Sequence, residues 1–139
     1  MDYSADLRIG TSIAGLVRLV HRGIPLPDDW TYIPYSITYT GSDGILIGDG
    51  FPVASWVWSE ANLSQLQLDN ILGLFDSDTQ ASKAVVIRTP TERGKKAQPA
   101  NFDCVMHRPV QGETKEMVTH SRSPVWGNVT LNFTRLEAV

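Results

Sequence analysis

The sequence predicts a mainly β domain with one helix, an antiparallel sandwich or barrel flanked by a single α-helix. Apolar and polar residues alternate with period two in several short runs, and turns rich in Gly, Pro and Asp separate those runs. Only one segment carries the three-to-four-residue spacing of an amphipathic helix.

Leu16–Val20 reads as a first strand, closed by His21-Arg22-Gly23 and a Pro-rich turn, with residues 1–15 as an N-terminal arm. Tyr32–Thr40 follows as a half-buried strand, its Ile33, Tyr35, Ile37 and Tyr39 on one face. Gly41-Ser-Asp43-Gly44 has the composition of a tight hairpin turn, and Ile45-Leu46-Ile47 is the expected return strand. Val53–Trp58 is another strand, on which Trp56 and Trp58 share a face and offer a large rigid surface to the core or to a neighbouring subunit.

The helix is expected over Leu63–Phe75, capped by Asn62, with Leu68, Ile71, Leu72 and Phe75 forming its buried stripe and Gly73 weakening its end. Three more strands are expected at Lys83–Thr89, Asn101–Arg108 and Asn128–Leu136. In the last, Val129, Leu131, Phe133 and Arg135 share one face. Residues 90–100 and 111–123 read as long polar loops, the kind of segment by which a small β domain meets other molecules.

A chain of 139 residues falls within the size of one domain, so residues 1–139 are expected to build one core. It has no apolar run long enough to span a bilayer, and acids in Met1–Asp6 replace the lysines of a secretory signal, so neither membrane insertion nor export is expected. Twelve Lys and Arg against fifteen Asp and Glu, without a concentrated basic face beyond Arg93-Gly-Lys95-Lys96, argue against a dedicated nucleic-acid surface.

Catalytic and metal signatures are weak. His21, His107 and His120 fall at no paired ligand spacing and read as surface or loop residues, and the single Cys104 reads as a buried thiol. The Gly41–Gly50 stretch lacks the Lys-Ser/Thr end of a nucleotide loop and is better read as a hairpin. The Asn-x-Ser/Thr matches at Asn62, Asn128 and Asn132 read as chance. No enzyme activity, cofactor, metal or small-molecule substrate is expected. An alternative function is a carbohydrate-binding module using Trp30, Tyr32, Trp56 and Trp58 as a stacking platform; the same rings are better read as filling a small core.

The order of strand, capped helix, Val85-Val-Ile-Arg-Thr-Pro90, long loop, Phe102-Asp-Cys-Val-Met-His-Arg-Pro109 and Val125-Trp-Gly-Asn-Val-Thr-Leu-Asn-Phe-Thr-Arg-Leu136 resembles small bacteriophage tail proteins of the tail-tube fold group. The resemblance spans roughly Trp56–Leu136 and consists of element order rather than an invariant motif. It implies a virion structural protein assembled in the host cytoplasm, a tail-tube subunit first and a distal-tail hub second. Such subunits form homo-oligomeric rings, usually hexamers, that stack with other tail proteins and pass DNA through a lumen without specific binding. The lumen sheet is then expected to use the strands near Tyr32–Thr40 and Asn128–Thr134. Candidate subunit-interface residues are Trp56, Trp58, Arg93, Lys95, Lys96, Gln98, Glu113, Lys115 and Glu116.

Overall fold

A computed structural model describes residues 7–58, 63–91, 98–109, 115–117, 125–127 and 129–139. In chain order the strands are β1 (Arg8–Gly10), β2 (Val17–Arg18), β3 (Asp29–Ile33), β4 (Ile37–Thr40), β5 (Leu46–Asp49), β6 (Val53–Trp58) and β7 (Leu63–Ser64). After helix α1 (Gln65–Leu72) come β8 (Ser82–Pro90), β9 (Pro99–His107), β10 (Lys115–Met117), β11 (Val125–Gly127) and β12 (Val129–Ala138). The fold is thus mostly β with a single α-helix among the described residues, as the alternation predicts.

Seven strands form one antiparallel sheet in the order β2-β1-β8-β9-β12-β6-β3, and it curls into a half-barrel. Side chains that meet across its interior show the curl. Trp56 on β6 donates its indole N–H to Thr89 on β8 at 3.0 Å, although β12 and β9 lie between those strands. Tyr32 on β3 stacks on Phe102 of β9, ring centroids 5.9 Å apart, across β6 and β12. The concave side holds the core: Val85, Ile87, Phe102, Cys104, Met106, Leu131 and Phe133 point inward, and Leu68, Ile71 and Phe75 pack against them from the helix side. Two smaller sheets stand apart, β10-β11-β7 and the hairpin β4-β5.

Several boundaries differ from the sequence reading for local reasons. Leu16–Val20 contributes only the two-residue β2, because the chain then winds into a 3-10 turn, Leu19–Arg22, that buries Leu19. Part of the expected N-terminal arm is instead sheet: β1 pairs with β8, and Leu7 and Ile9 lie in the core. The helix is shorter than predicted and starts at a complete capping box, in which Ser64 Oγ accepts from Gln67 N–H while the Gln67 side chain accepts from Ser64 N–H. Asn62, the expected cap, lies outside the described residues. Pro90, Pro99 and Ala100 belong to β8 and β9 rather than to a loop, and Lys115–Met117 forms β10 inside the expected loop 111–123.

In β12 the alternation breaks at Arg135. This residue adopts φ 55° beside a register shift between Thr134 and Glu137, so Leu136 takes the buried position and Arg135 is exposed. An added residue in one strand reverses the inward and outward phase beyond it.

Candidate functional site

The long strand predicted at Tyr32–Thr40 is two strands. β3 pairs with β6 and ends at Ile33, Pro34 supplies no N–H to continue a ladder, and β4 resumes at Ile37 in a separate hairpin with β5. Residues 34–51 therefore form an arm that leaves the sheet between two neighbouring strands, Ile33 being the partner of Val53. Its tip is the expected turn: Gly41 N–H donates to Ile45 O at 2.8 Å, Gly44 N–H to Gly41 O at 3.0 Å, and Ile45 N–H to Asp43 Oδ1 at 3.1 Å. Gly44 at φ 85° takes the left-handed conformation such a turn requires.

The arm is shaped at both ends. Tyr35 lies over Gly48 so closely that a Cβ there would meet the ring at 2.5 Å. At the base, Leu136 N–H donates to Pro52 O at 3.1 Å, and the Arg135 guanidinium sits 5.4 Å from the centroid of the Phe51 ring. The irregularity in β12 thus lies where the arm joins the body.

Every residue of β4 and β5 is exposed, contrary to the half-buried face expected of Tyr32–Thr40. Among the described residues, eight of the twelve large exposed hydrophobic side chains fall within residues 33–51: Ile33, Tyr35, Ile37, Tyr39, Ile45, Leu46, Ile47 and Phe51. Leu46 is 68% exposed and Ile37 60%. Strand pairing places Ile37, Tyr39 and Ile47 on one face of the hairpin. An isolated two-stranded hairpin is marginal in water, and large exposed apolar patches are rare on monomeric proteins. The alternating pattern was legible in the sequence; that the body leaves it uncovered was not.

The residues singled out from sequence are placed differently. Trp56 and Trp58 are core residues, fully buried, and so are corrected from the subunit interface to the interior. The Trp58 indole N–H donates to Pro25 O at 2.9 Å, and Trp56 meets Phe133 edge-on at 4.7 Å. With Trp30 and Tyr32 packed half-buried against the same core, the four rings do not form an open sugar-stacking platform. Gln98 is exposed, and its carbonyl accepts from both the N–H and the hydroxyl of Thr91 at 3.1 Å, closing the β8–β9 connection. Lys115 and Glu116 lie on β10 opposite Gly127 and Trp126, in a different sheet. Arg93, Lys95, Lys96 and Glu113 lie outside the described residues.

Groups capable of chemistry are dispersed. His107, on a strand rather than a loop, is hydrogen-bonded through Nε2 to Thr134 Oγ1 at 2.8 Å, His21 is exposed, and His120 lies outside the described residues. Burial, with Asp103 nearby, pushes the Cys104 thiol up to about 12, as expected of a core side chain. Hydrogen bonds from Lys83 and then Gln80 hold the Asp76 carboxyl below its ordinary range. No three His, Cys, Asp or Glu among the described residues are grouped to hold a metal ion. No helix among them is long and apolar enough to cross a membrane. Comparison with family models, curated proteins and solved structures finds no match for this chain.

Proposed function

We propose that this chain is a self-assembling structural subunit, in the first instance of a ring-stacked bacteriophage tail, as a tail-tube protein or secondarily a distal-tail hub. The projecting apolar arm carries this reading. Burying such a surface is favourable by about 25 cal/mol per Å², and the subunit's own body does not bury it. A second copy supplies a complementary surface in the geometry that rings require.

Two features of the sheet suit the same role. Among the described residues its edges, β2 and β3, each pair on one side only, which offers strand edges to neighbouring subunits. Its outer face also carries a row of polar residues across five strands: Thr31, Ser55, Asn132, His107 and Ser82 are successive cross-strand partners. This row itself carries no Lys or Arg to hold phosphates, which suits a channel through which DNA passes, while Arg8, Arg18 and Arg88 lie toward the β2 edge of the same sheet. The virion is the corresponding location.

The test is the mass and shape of the purified protein, by light scattering and negative-stain microscopy at several concentrations. Rings or tubes with a central hole are expected, tubes growing with concentration for a tail-tube protein and single rings for a hub. A monodisperse monomer at every concentration would overturn the reading.

A further inference from the structure

The arm joins the body through two roots at which the sheet ladder stops. Pro34 on the outgoing root and Pro52 on the returning one both lack the N–H that would carry the pairing of β3 with β6 further. An arm on two such roots swings unless the body fastens it.

The last strand supplies a fastening. Its register against β6 sets Phe133 opposite Ala54, so an unbroken ladder would bring Arg135 opposite Pro52. The register shift after Thr134 moves the strand on by one residue, and Leu136 instead donates its N–H to Pro52 O at 3.1 Å. Leu136 is buried in the core, so the returning root is tied to a fixed point of the body.

Arg135 is the residue that this shift turns outward. Its φ of 55° is the one positive value at a non-glycine position among the described residues. Glycine takes such a conformation without strain, whereas a residue with a side chain is held there at a cost in stability. What arginine adds over glycine is its guanidinium, which lies 5.4 Å from the centroid of the Phe51 ring on the returning root. The two roots are also tied to each other. Ser36 N–H donates to Asp49 O at 3.0 Å, and an added Cβ at Gly50 would clash with Ser36 Oγ.

We propose that Arg135 is a positioning residue, whose left-handed backbone and whose guanidinium against Phe51 hold the arm at a fixed angle to the sheet for docking on a second copy. The fixed angle is a property of the single chain; its use in docking rests on the self-assembly reading. A held arm loses less freedom when it docks, and a closed ring needs the same angle in every subunit. The strain at Arg135 is thus retained for assembly, at the expense of the subunit's own stability.

The test compares Arg135→Gly, Arg135→Ala and Arg135→Lys in the full chain. Arg135→Gly is expected to melt at or a few degrees above wild type, because the strain is relieved, yet to weaken self-association about tenfold or more. Arg135→Ala, which keeps the strain and loses the guanidinium, is expected to melt at or below wild type and to associate as poorly. Arg135→Lys keeps the charge without the planar group and is expected to fall between wild type and Arg135→Ala in association. A residue that merely stabilised the fold would move melting and association together. If Arg135→Ala does not fold, Arg135→Gly against Arg135→Lys decides. The arm's angle is read separately in dilute protein, by pulsed electron paramagnetic resonance between spin labels on Ser42→Cys at the tip and Ser82→Cys on the sheet, the native Cys104 being buried. A narrow distance distribution that broadens on Arg135→Gly is expected. A distribution as narrow in Arg135→Gly as in its parent, or self-association unchanged by Arg135→Gly, would overturn this role and leave the self-assembly reading intact. A wild type monomeric at every concentration would overturn the self-assembly reading, and with it the use of the fixed angle in docking.

Discussion

Trp56 illustrates how a residue's chemistry can be legible while its place is not. Two tryptophans at strand spacing announce a large apolar face, and that inference holds. Whether the face turns inward depends on what lies opposite, and Thr89 is 33 positions away in sequence. No local pattern encodes that distance. The indole N–H bonded to Thr89 in the interior makes the assignment testable. Trp56→Phe retains much of the packing but leaves the Thr89 hydroxyl without its donor, and is expected to lower the unfolding free energy by about 1–3 kcal/mol in urea titration. Trp56→Ala is expected to lower it by about 3–5 kcal/mol. Neutral outcomes would mean that the ring is not part of the core.

At the scale of elements, patterns that depend on neighbours in sequence were read well and those that depend on tertiary contact were not. Val53–Trp58 appears with its predicted bounds, and the Gly41–Gly44 turn joins the strands it was expected to join. The helix buries Leu68 and Ile71 of its expected stripe but begins at Gln65, because the reciprocal Ser64 and Gln67 bonds fix its start, and it ends before Phe75. The arm is the instructive error. Period-two alternation reports that one strand face avoids water, without saying whether the same chain or another covers it. Pro34 was the available signal that β3 and β4 are separate, since proline interrupts a ladder. Replacing Ile37, Tyr39 and Leu46 together by Asn removes apolar surface that contributes little to the core. The monomer's thermal transition is expected to stay within a few degrees of wild type, while rings or tubes disappear from negative-stain fields. A collapsed thermal transition would show instead that the arm stabilises the subunit itself.

For the whole molecule, the sequence specifies the class but conceals the sheet order. β1 lies beside β8, and β12 lies between β9 and β6, so most of the sheet is built from partners distant in sequence. Those pairings curl the sheet and send the arm outward between β3 and β6. If the proposed self-assembly covers the arm, stability should depend on protein concentration. Association that favours the folded state raises its apparent stability by mass action. Differential scanning calorimetry of wild type is therefore expected to show Tm rising by roughly 2–5 °C for each tenfold increase in concentration. The arm variant with Ile37, Tyr39 and Leu46 replaced by Asn should hold one value throughout. A wild-type Tm independent of concentration would mean that folding is complete within one chain, and that the exposed arm does not couple stability to assembly.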